Sequence, residues 1–162
     1  MIVNTNYRGQ LAPGEVEKIQ FSGDALNPPV QKVFKTYSPP IGTMIVFQSG
    51  KYRLMGVKEQ PLPANIYDLM PFRPANMQLQ SMTVVDHLNC DINLIRVART
   101  LTCKRCIFEP ELFPALRLLD YNPICVNVFA TGKIVLLGVK DFNDCKRLLS
   151  RIKRLLLWAD AY

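Results

Sequence analysis

The side chains best suited to chemistry in this sequence are few and poorly matched to one another. Cys103 and Cys106 form a C-x-x-C pair around Lys104 and Arg105, a spacing that can place two thiolates on one zinc ion, while the flanking cations could lower a thiol pKa toward a nucleophile. The rest of a zinc site is missing, because there is no second C-x-x-C and the only histidine, His87, stands alone. Glu109 and Glu111 resemble an acid–base pair only when taken out of context. The sequence holds no P-loop, no strand-following GxGxxG, no HExxH and no nucleophile elbow, and one histidine restricts acid–base chemistry near neutral pH. The chain is expected not to be an enzyme, and to need no cofactor and no metal.

A binding role fits the composition better. With 162 residues, 49% of them hydrophobic, the chain can bury a core without a metal or disulfide staple. Its 20 Lys and Arg against 13 Asp and Glu give a net charge of +7, which suits a polyanionic partner held by counterion release. The longest apolar runs, 124–129 and 134–139, fall far short of the ~20 residues of a membrane-spanning helix. No secretory signal is evident at the start, and five cysteines are an odd number, so an intracellular protein with reduced thiols is expected.

An internal repeat organises the chain. VFQSGKYRLMGVK at 46–58 and VFATGKIVLLGVK at 128–140 share eight of thirteen residues at an offset of 82: Val46/Val128, Phe47/Phe129, Gly50/Gly132, Lys51/Lys133, Leu54/Leu136, Gly56/Gly138, Val57/Val139 and Lys58/Lys140. Each copy is two apolar runs joined by Ser-Gly-Lys or Thr-Gly-Lys, the pattern of an antiparallel hairpin with a tight turn. Further strands are expected at 30–37 and 114–121, and opening strands at 2–7 and 77–85, followed by helical segments at 13–21 and 92–101. The order per half is strand, helix, three strands. Residues 141–158 carry Phe142, Cys145, Leu148, Leu149, Ile152, Leu155 and Leu156 at helical spacing, with Lys and Arg elsewhere on the cylinder, and read as a basic amphipathic helix packed on the sheet. The equivalent place in the first half holds Pro61, Pro63, Pro71 and Pro74, which leave a short helical piece at 64–70 and a linker at 71–76. The domain division expected is 1–76 and 77–162.

FEPELFP at 108–114 followed by the second hairpin resembles the second repeat of the TATA-box-binding-protein family, and NPPV at 27–30 with the first hairpin resembles the first. The resemblance implies an α+β saddle. Two pseudo-symmetric repeats would form one curved antiparallel sheet of about ten strands, with helices on the convex side and double-stranded DNA under the concave side. Members of the family bind the minor groove by inserting aromatic wedges at base steps and bending the duplex. By position, the wedges here are Phe113 and Phe129 in the second repeat and Phe47 in the first, where Val30 replaces the fourth. Phe34, Phe72 and Phe142 are expected in the core.

The same resemblance places the groove floor at Asn4, Ile45, Arg53, Met55, Ser81, Asn127, Val135 and Leu137. The family's Asn and Thr readers are largely gone, since Ser81 stands at an Asn position and Met55 and Leu137 at Thr positions without a side-chain donor. Arg53 and Asn127 bring polarity to positions that are apolar in the family. They would either read the groove in another way or mark a face that no longer binds DNA. Phosphate contacts would fall to Ser49, Lys51, Thr131 and Lys133. The loop Asp120, Tyr121, Asn122 and Pro123 corresponds to the surface presented to transcription factor IIB-like and polymerase-associated partners.

The function implied is transcription initiation: minor-groove binding, bending and recruitment of other factors, in the nucleus or, for a virus-encoded relative, in a cytoplasmic viral factory. The alternatives are a scaffold of this fold within a transcription or replication complex that has lost autonomous TATA binding, and a homodimer formed through the concave face.

Overall fold

The computed structural model describes residues 1–12, 14–15, 31–36, 42–47, 49–69 and 76–162, with the backbone alone at 31–36, 65 and 69. The chain divides into two compact units, Ile2–Met82 and Thr83–Tyr162 together with Met1.

The first unit is an antiparallel sheet of β1 (Ile2–Gln10), β2 (Gln31–Thr36), β3 (Gly42–Phe47) and β4 (Lys51–Val57), ordered β2-β3-β4-β1. Val, Ile, Tyr and Phe alternate with polar residues, so one face is apolar. That face supplies the core: Tyr7, Met44, Val46, Tyr52, Leu54 and Val57, closed by Ile66 and flanked by Leu62 and Tyr67. Ile66 comes from a 3₁₀-helix, Ala64–Leu69, whose entry is tied by the Ile66 amide donating to the Pro63 carbonyl at 3.1 Å. The short helical piece expected after the prolines is therefore present. The helix expected at 13–21, the linker at 71–76 and Phe72 lie outside the described residues but for Gly14, Glu15 and Asn76.

β5 (Gln78–His87) runs across the division, and from Thr83 onward it belongs to the second unit's sheet with β6 (Cys106–Ile107), β7 (Leu116–Leu118), β8 (Cys125–Val128) and β9 (Lys133–Val139), ordered β5-β9-β8-β7-β6. Two helices accompany it, α1 (Leu94–Leu101) and α2 (Phe142–Ala161). Each begins on a side-chain cap: Asn93 Oδ1 accepts the Arg96 amide at 3.0 Å, and Asp141 Oδ1 accepts the Asp144 amide at 2.9 Å. α2 buries Cys145, Leu149, Ile152, Leu156 and Ala159 along one stripe, and the strands bury Val84, Leu116, Val126, Val128, Ile134 and Leu136. α1 packs beside α2, where Arg96 Nη1 donates to the Asp160 carbonyl at 2.7 Å.

The described residues thus carry nine strands, four in the first half and five counting from β5, against the ten or so that the resemblance implies. β6 is a two-residue strand ahead of Pro110, and β7 has shrunk to three residues from the expected 114–121. Phe142, expected in the core, is instead half-buried at the first position of α2, with Lys146 Nζ 4.9 Å from its ring centroid. Only the backbone of Phe34 is described.

Asp86 anchors α2 to β5 through a 2.7 Å ion pair with Lys153. Burial by itself would raise the Asp86 pKa, but the Lys153 hydrogen bond, the His87 amide and the Lys153 charge outweigh it and hold the carboxyl below its ordinary 3.8. Because the folded pKa is depressed, the stabilisation is present above the unfolded-state pKa and is lost as pH falls through the folded one. Asp86→Asn is expected to lower Tm by about 1–4 °C at pH 7. The deficit should shrink toward zero as pH falls through the depressed pKa of the folded carboxyl, a pattern that thermal unfolding followed by circular dichroism across pH would check.

Candidate nucleic-acid interface

In each half a turn of the same construction presents an aromatic and a cation. Gly50 N donates to the Phe47 carbonyl and Gly132 N to the Phe129 carbonyl, both at 2.9 Å, closing four-residue turns at Phe47–Gly50 and Phe129–Gly132. The glycines take φ of +85° and +78°, the left-handed region that an L side chain resists, which is why Ser-Gly-Lys and Thr-Gly-Lys both turn the chain. The loop after the opening strand docks on each turn, with Leu11 N donating to the Gly50 carbonyl at 2.8 Å and Leu88 N to the Gly132 carbonyl at 2.9 Å. Ser49, Lys51, Thr131 and Lys133 are exposed around these turns.

Phe47 and Phe129 are half-buried. Phe113 is 43% exposed and sits in a second turn, where the amides of Leu112 and Phe113 both donate to the Glu109 carbonyl at 2.9 and 3.0 Å. Its ring meets that of Phe129 edge-on, with centroids 6.2 Å apart at 68°. Such a pair contributes about 0.5–1.5 kcal/mol beyond buried area and sets two large apolar groups side by side. Glu109 and Glu111 are exposed residues of the turn that carries Phe113. Val30 lies outside the described residues.

Strand register decides what else shares the uncovered side of each sheet, since residues paired across antiparallel strands lie on one face. In the first half one row is Arg8–Arg53–Ile45 and the next Asn6–Met55–Thr43. In the second half the rows are Arg117–Asn127–Val135 and Cys125–Leu137. Ile45, Arg53, Met55, Asn127, Val135 and Leu137 are therefore brought onto uncovered faces, and Leu137 is 40% exposed. Asn127 is 7% exposed between its neighbours, its side-chain Oδ1 accepting the Cys125 thiol at 3.8 Å. Ser81 is half-buried beside Met82 on β5. Asn4 is engaged: its Oδ1 accepts the Gly56 amide at 2.7 Å, leaving only its NH₂ group to spare.

Arg8, Asn6 and Arg117 join these faces although the sequence reading did not single them out. Arg8 lies beyond the expected end of the first strand, and only the register shows that it opposes Arg53. Asp86 is the single carboxylate in any described strand, and it is turned to α2. The uncovered faces hold no acidic side chain among the described residues.

The loop Asp120–Pro123 is held by Arg105, whose Nε lies 2.7 Å from Asp120 Oδ2 and whose carbonyl accepts the Leu119 amide at 2.9 Å. Asp120, Asn122 and Pro123 are exposed, while Tyr121 is half-buried, and burial followed by the Asp120 charge pushes its hydroxyl pKa up. Cys103 and Cys106 do not share an environment. Cys103 is exposed, whereas Cys106 is buried with its Sγ 3.4 Å from the Thr102 carbonyl, and burial raises its pKa. No cluster of three or more metal-ligating side chains occurs among the described residues.

Taken together, these features define a class: a duplicated α+β protein whose sheets have a basic, aromatic-flanked uncovered face. A solved structure titled "Methanococcus jannaschii TBP" shares the fold, with a TM-score of 0.74 over 96% of each chain at 24% identity. The family described as "Transcription factor TFIID (or TATA-binding protein, TBP)" matches residues 76–158. The chain is 30% identical over 131 residues to the TATA-box-binding protein of Methanococcus maripaludis, covering 74% of this chain and 70% of that one. It is 29% identical over 153 residues to that of Methanocaldococcus jannaschii, with 88% and 78% covered. It is 29% identical over 133 residues to TATA-box-binding protein 2 of Entamoeba histolytica, of whose length it spans 61%. The chain belongs to the TATA-box-binding-protein family of transcription factors.

The burial pattern makes the thiols a test of this fold. Cys90 and Cys103 are expected to react with an aromatic disulfide reagent within seconds, Cys125 more slowly. Cys106 and Cys145, buried and with raised pKa values, should react only as fast as the protein opens. Stopped-flow absorbance in the presence and absence of denaturant separates the phases, and fast reaction of Cys106 would contradict its packing under α1.

Proposed function

We propose that the protein acts in transcription initiation by binding double-stranded DNA from the minor groove, bending it, and presenting other surfaces to initiation factors. One observation carries the reading: faces without a carboxylate among the described residues, flanked by equivalent turns that offer Phe47 in one half and the paired Phe113 and Phe129 in the other. A wedge must be large and apolar to unstack a base step, and the edge-on pair offers two such rings side by side. Lys51 and Lys133, with Ser49 and Thr131, suit phosphates along the backbone, contacts that position without specifying sequence. Ile45, Met55, Val135 and Leu137 give the floor an apolar surface against the sugar and base edges, with Asn4, Arg53, Ser81 and Asn127 as its polar members. The loop at Asp120–Pro123, braced by Arg105, suits a transcription factor IIB-like partner.

A scaffold role without autonomous DNA binding draws on the scarcity of free floor donors, since Asn127 is nearly enclosed and the Asn4 oxygen is taken. The two roles separate in a fluorescence bending assay on a labelled TATA-type duplex with a G·C-rich control. Wild type is expected to bend the TATA-type duplex. Phe113→Ala/Phe129→Ala should abolish the bend and weaken binding roughly ten- to a hundredfold. Lys51→Gln/Lys133→Gln should lower the slope of log K against log salt by about 2. Absence of binding to either duplex at low salt would leave the scaffold.

A further inference from the structure

On the helix-bearing side of the second unit, α2 carries an outward stripe that the core does not use. Arg147, Arg151, Arg154, Trp158 and Tyr162 follow one another at spacings of four, three, four and four, which sets them on one line opposite the buried Cys145, Leu149, Ile152 and Leu156. All five are exposed, Trp158 by 50%. Trp158 and Tyr162 lie ring against ring, with centroids 5.4 Å apart and planes tilted by 51°. Exposed arginines alone are a solubilising surface, but large aromatics left in water beside them are not. Trp, Tyr and Arg are the side chains enriched where protein interfaces are strongest.

The stripe ends at a cavity of about 490 Å³ between α1 and the end of α2, lined by Asn93, Ile95, Arg96, Arg99, Thr100 and Tyr162. Hydrogen bonds hold the two helices together there: Thr100 Oγ1 donates to the Ala159 carbonyl at 3.2 Å, and Arg96 Nη1 to the Asp160 carbonyl at 2.7 Å. The Asp160 carboxylate is committed, since its Oδ1 accepts the Asn93 amide at 3.1 Å and lies 3.9 Å from Arg96 Nη1. Arg99, Arg151 and Arg154 have no carboxylate within ion-pair distance among the described residues.

We propose that the stripe and cavity are a docking site for an acidic segment of a partner protein. Its carboxylates pair with Arg151, Arg154 and Arg99, and one bulky apolar side chain enters the cavity against Ile95 and Tyr162. The planar guanidinium matches a carboxylate with two parallel hydrogen bonds, which makes arginine the fitting cation for such a partner. From Arg147 to Tyr162 the helix rises about 22 Å, the span of about seven extended residues. A DNA duplex suits the site less well. Asp141 and Asp144 stand exposed at the start of α2, where a row of phosphates continuing past Arg147 would meet them, and a duplex has no apolar side group to place on Ile95. The site is remote from the uncovered sheet faces, so it does not rest on the DNA-binding reading.

Trp158 is the only tryptophan in the chain, so its emission reads the site directly. The full chain is titrated with three synthetic peptides of equal length: one of Asp and Glu with a central Leu-Phe, one with that Leu-Phe replaced by Ser-Ser, and one with the acids replaced by Lys. The first is expected to shift Trp158 emission to the blue and to saturate, and the other two to bind at least about tenfold more weakly. Arg99→Gln, Ile95→Ser and Arg151→Gln/Arg154→Gln should each weaken the first peptide roughly three- to tenfold. Their Tm should stay at the wild-type value, because the replaced side chains are exposed.

No Trp158 response to the first peptide up to about 1 mM would overturn the inference. So would equal binding of the first two peptides, which would reduce the site to bare charge, or binding that the three variants leave unchanged. Peptide binding that is silent at Trp158 and displaced by a duplex would place the acids on the uncovered faces and overturn it as well. A chain that bends no duplex yet meets the peptide expectations would lose the proposed function and keep this site.

Discussion

Each sheet has one face sealed by core packing, and the two-residue period of a strand forces everything else to the other side. Once Tyr52 and Leu54 are buried with Met44 and Tyr7, Arg53 and Arg8 have no choice of face. The same holds in the second half, where Leu116, Val126, Val128, Ile134 and Leu136 are buried and Arg117, Asn127, Val135 and Leu137 follow on the far side. A register slip of one residue would bury guanidiniums without partners, at a cost of several kcal/mol each. The core therefore fixes the composition of the binding face, although none of the face residues need contribute to stability.

That separation explains how the halves stay alike in backbone and differ in chemistry. Gly50 and Gly132, and likewise Gly56 and Gly138, keep positive φ and the same places in the hairpins. The uncovered positions between them have diverged: Ile45 and Arg53 in one half correspond to Asn127 and Val135 in the other, so the polar residue has moved from one strand of the hairpin to its partner. Folding constrains the turn and the buried alternation, while the open face can change without loss of the fold. The helices show a similar freedom. After its last hairpin strand the first half places, among the described residues, the 3₁₀-helix Ala64–Leu69 behind Pro61 and Pro63, where the second half has the twenty-residue α2.

Much of this was legible in the sequence. The repeated Ser-Gly-Lys and Thr-Gly-Lys turns and the helical spacing of Cys145, Leu149, Ile152 and Leu156 declare their structure through local chemistry, and residues 92–101 hold α1. The candidate face was only half legible, because membership depends on pairing between distant strands. Arg53 could be singled out within its hairpin, but Arg8 is opposed to it by a contact across forty-five positions of sequence. At the bulge opposite Thr5 and Asn6 the extra residue is Gly56 of β4, whose amide takes the oxygen of Asn4, chosen as a groove reader, while Asn6 enters the row of Met55 and Thr43. Asn127 was placed on the correct strand, but its near-complete enclosure depends on the size of its neighbours, which no spacing rule conveys.

The net charge of +7 is weaker support for a DNA-binding face than the placement of the acids. Many of the cations sit on α2, where Lys146, Arg147, Arg151 and Arg154 are exposed and Lys153 is spent on Asp86. Placed on the helix and screened beyond about 8 Å at physiological salt, they add little to the potential at an uncovered sheet. What sets that potential is the near-complete exclusion of carboxylates from the strands: with Asp86 drawn to Lys153, nothing acidic among the described residues neutralises Arg8, Arg53 or Arg117 on the open side. A solubilising surface would intersperse both signs, whereas a surface for a polyanion removes one of them. The sorting of charge between the two sides of each sheet, more than its sum, is the electrostatic signature of the proposed role.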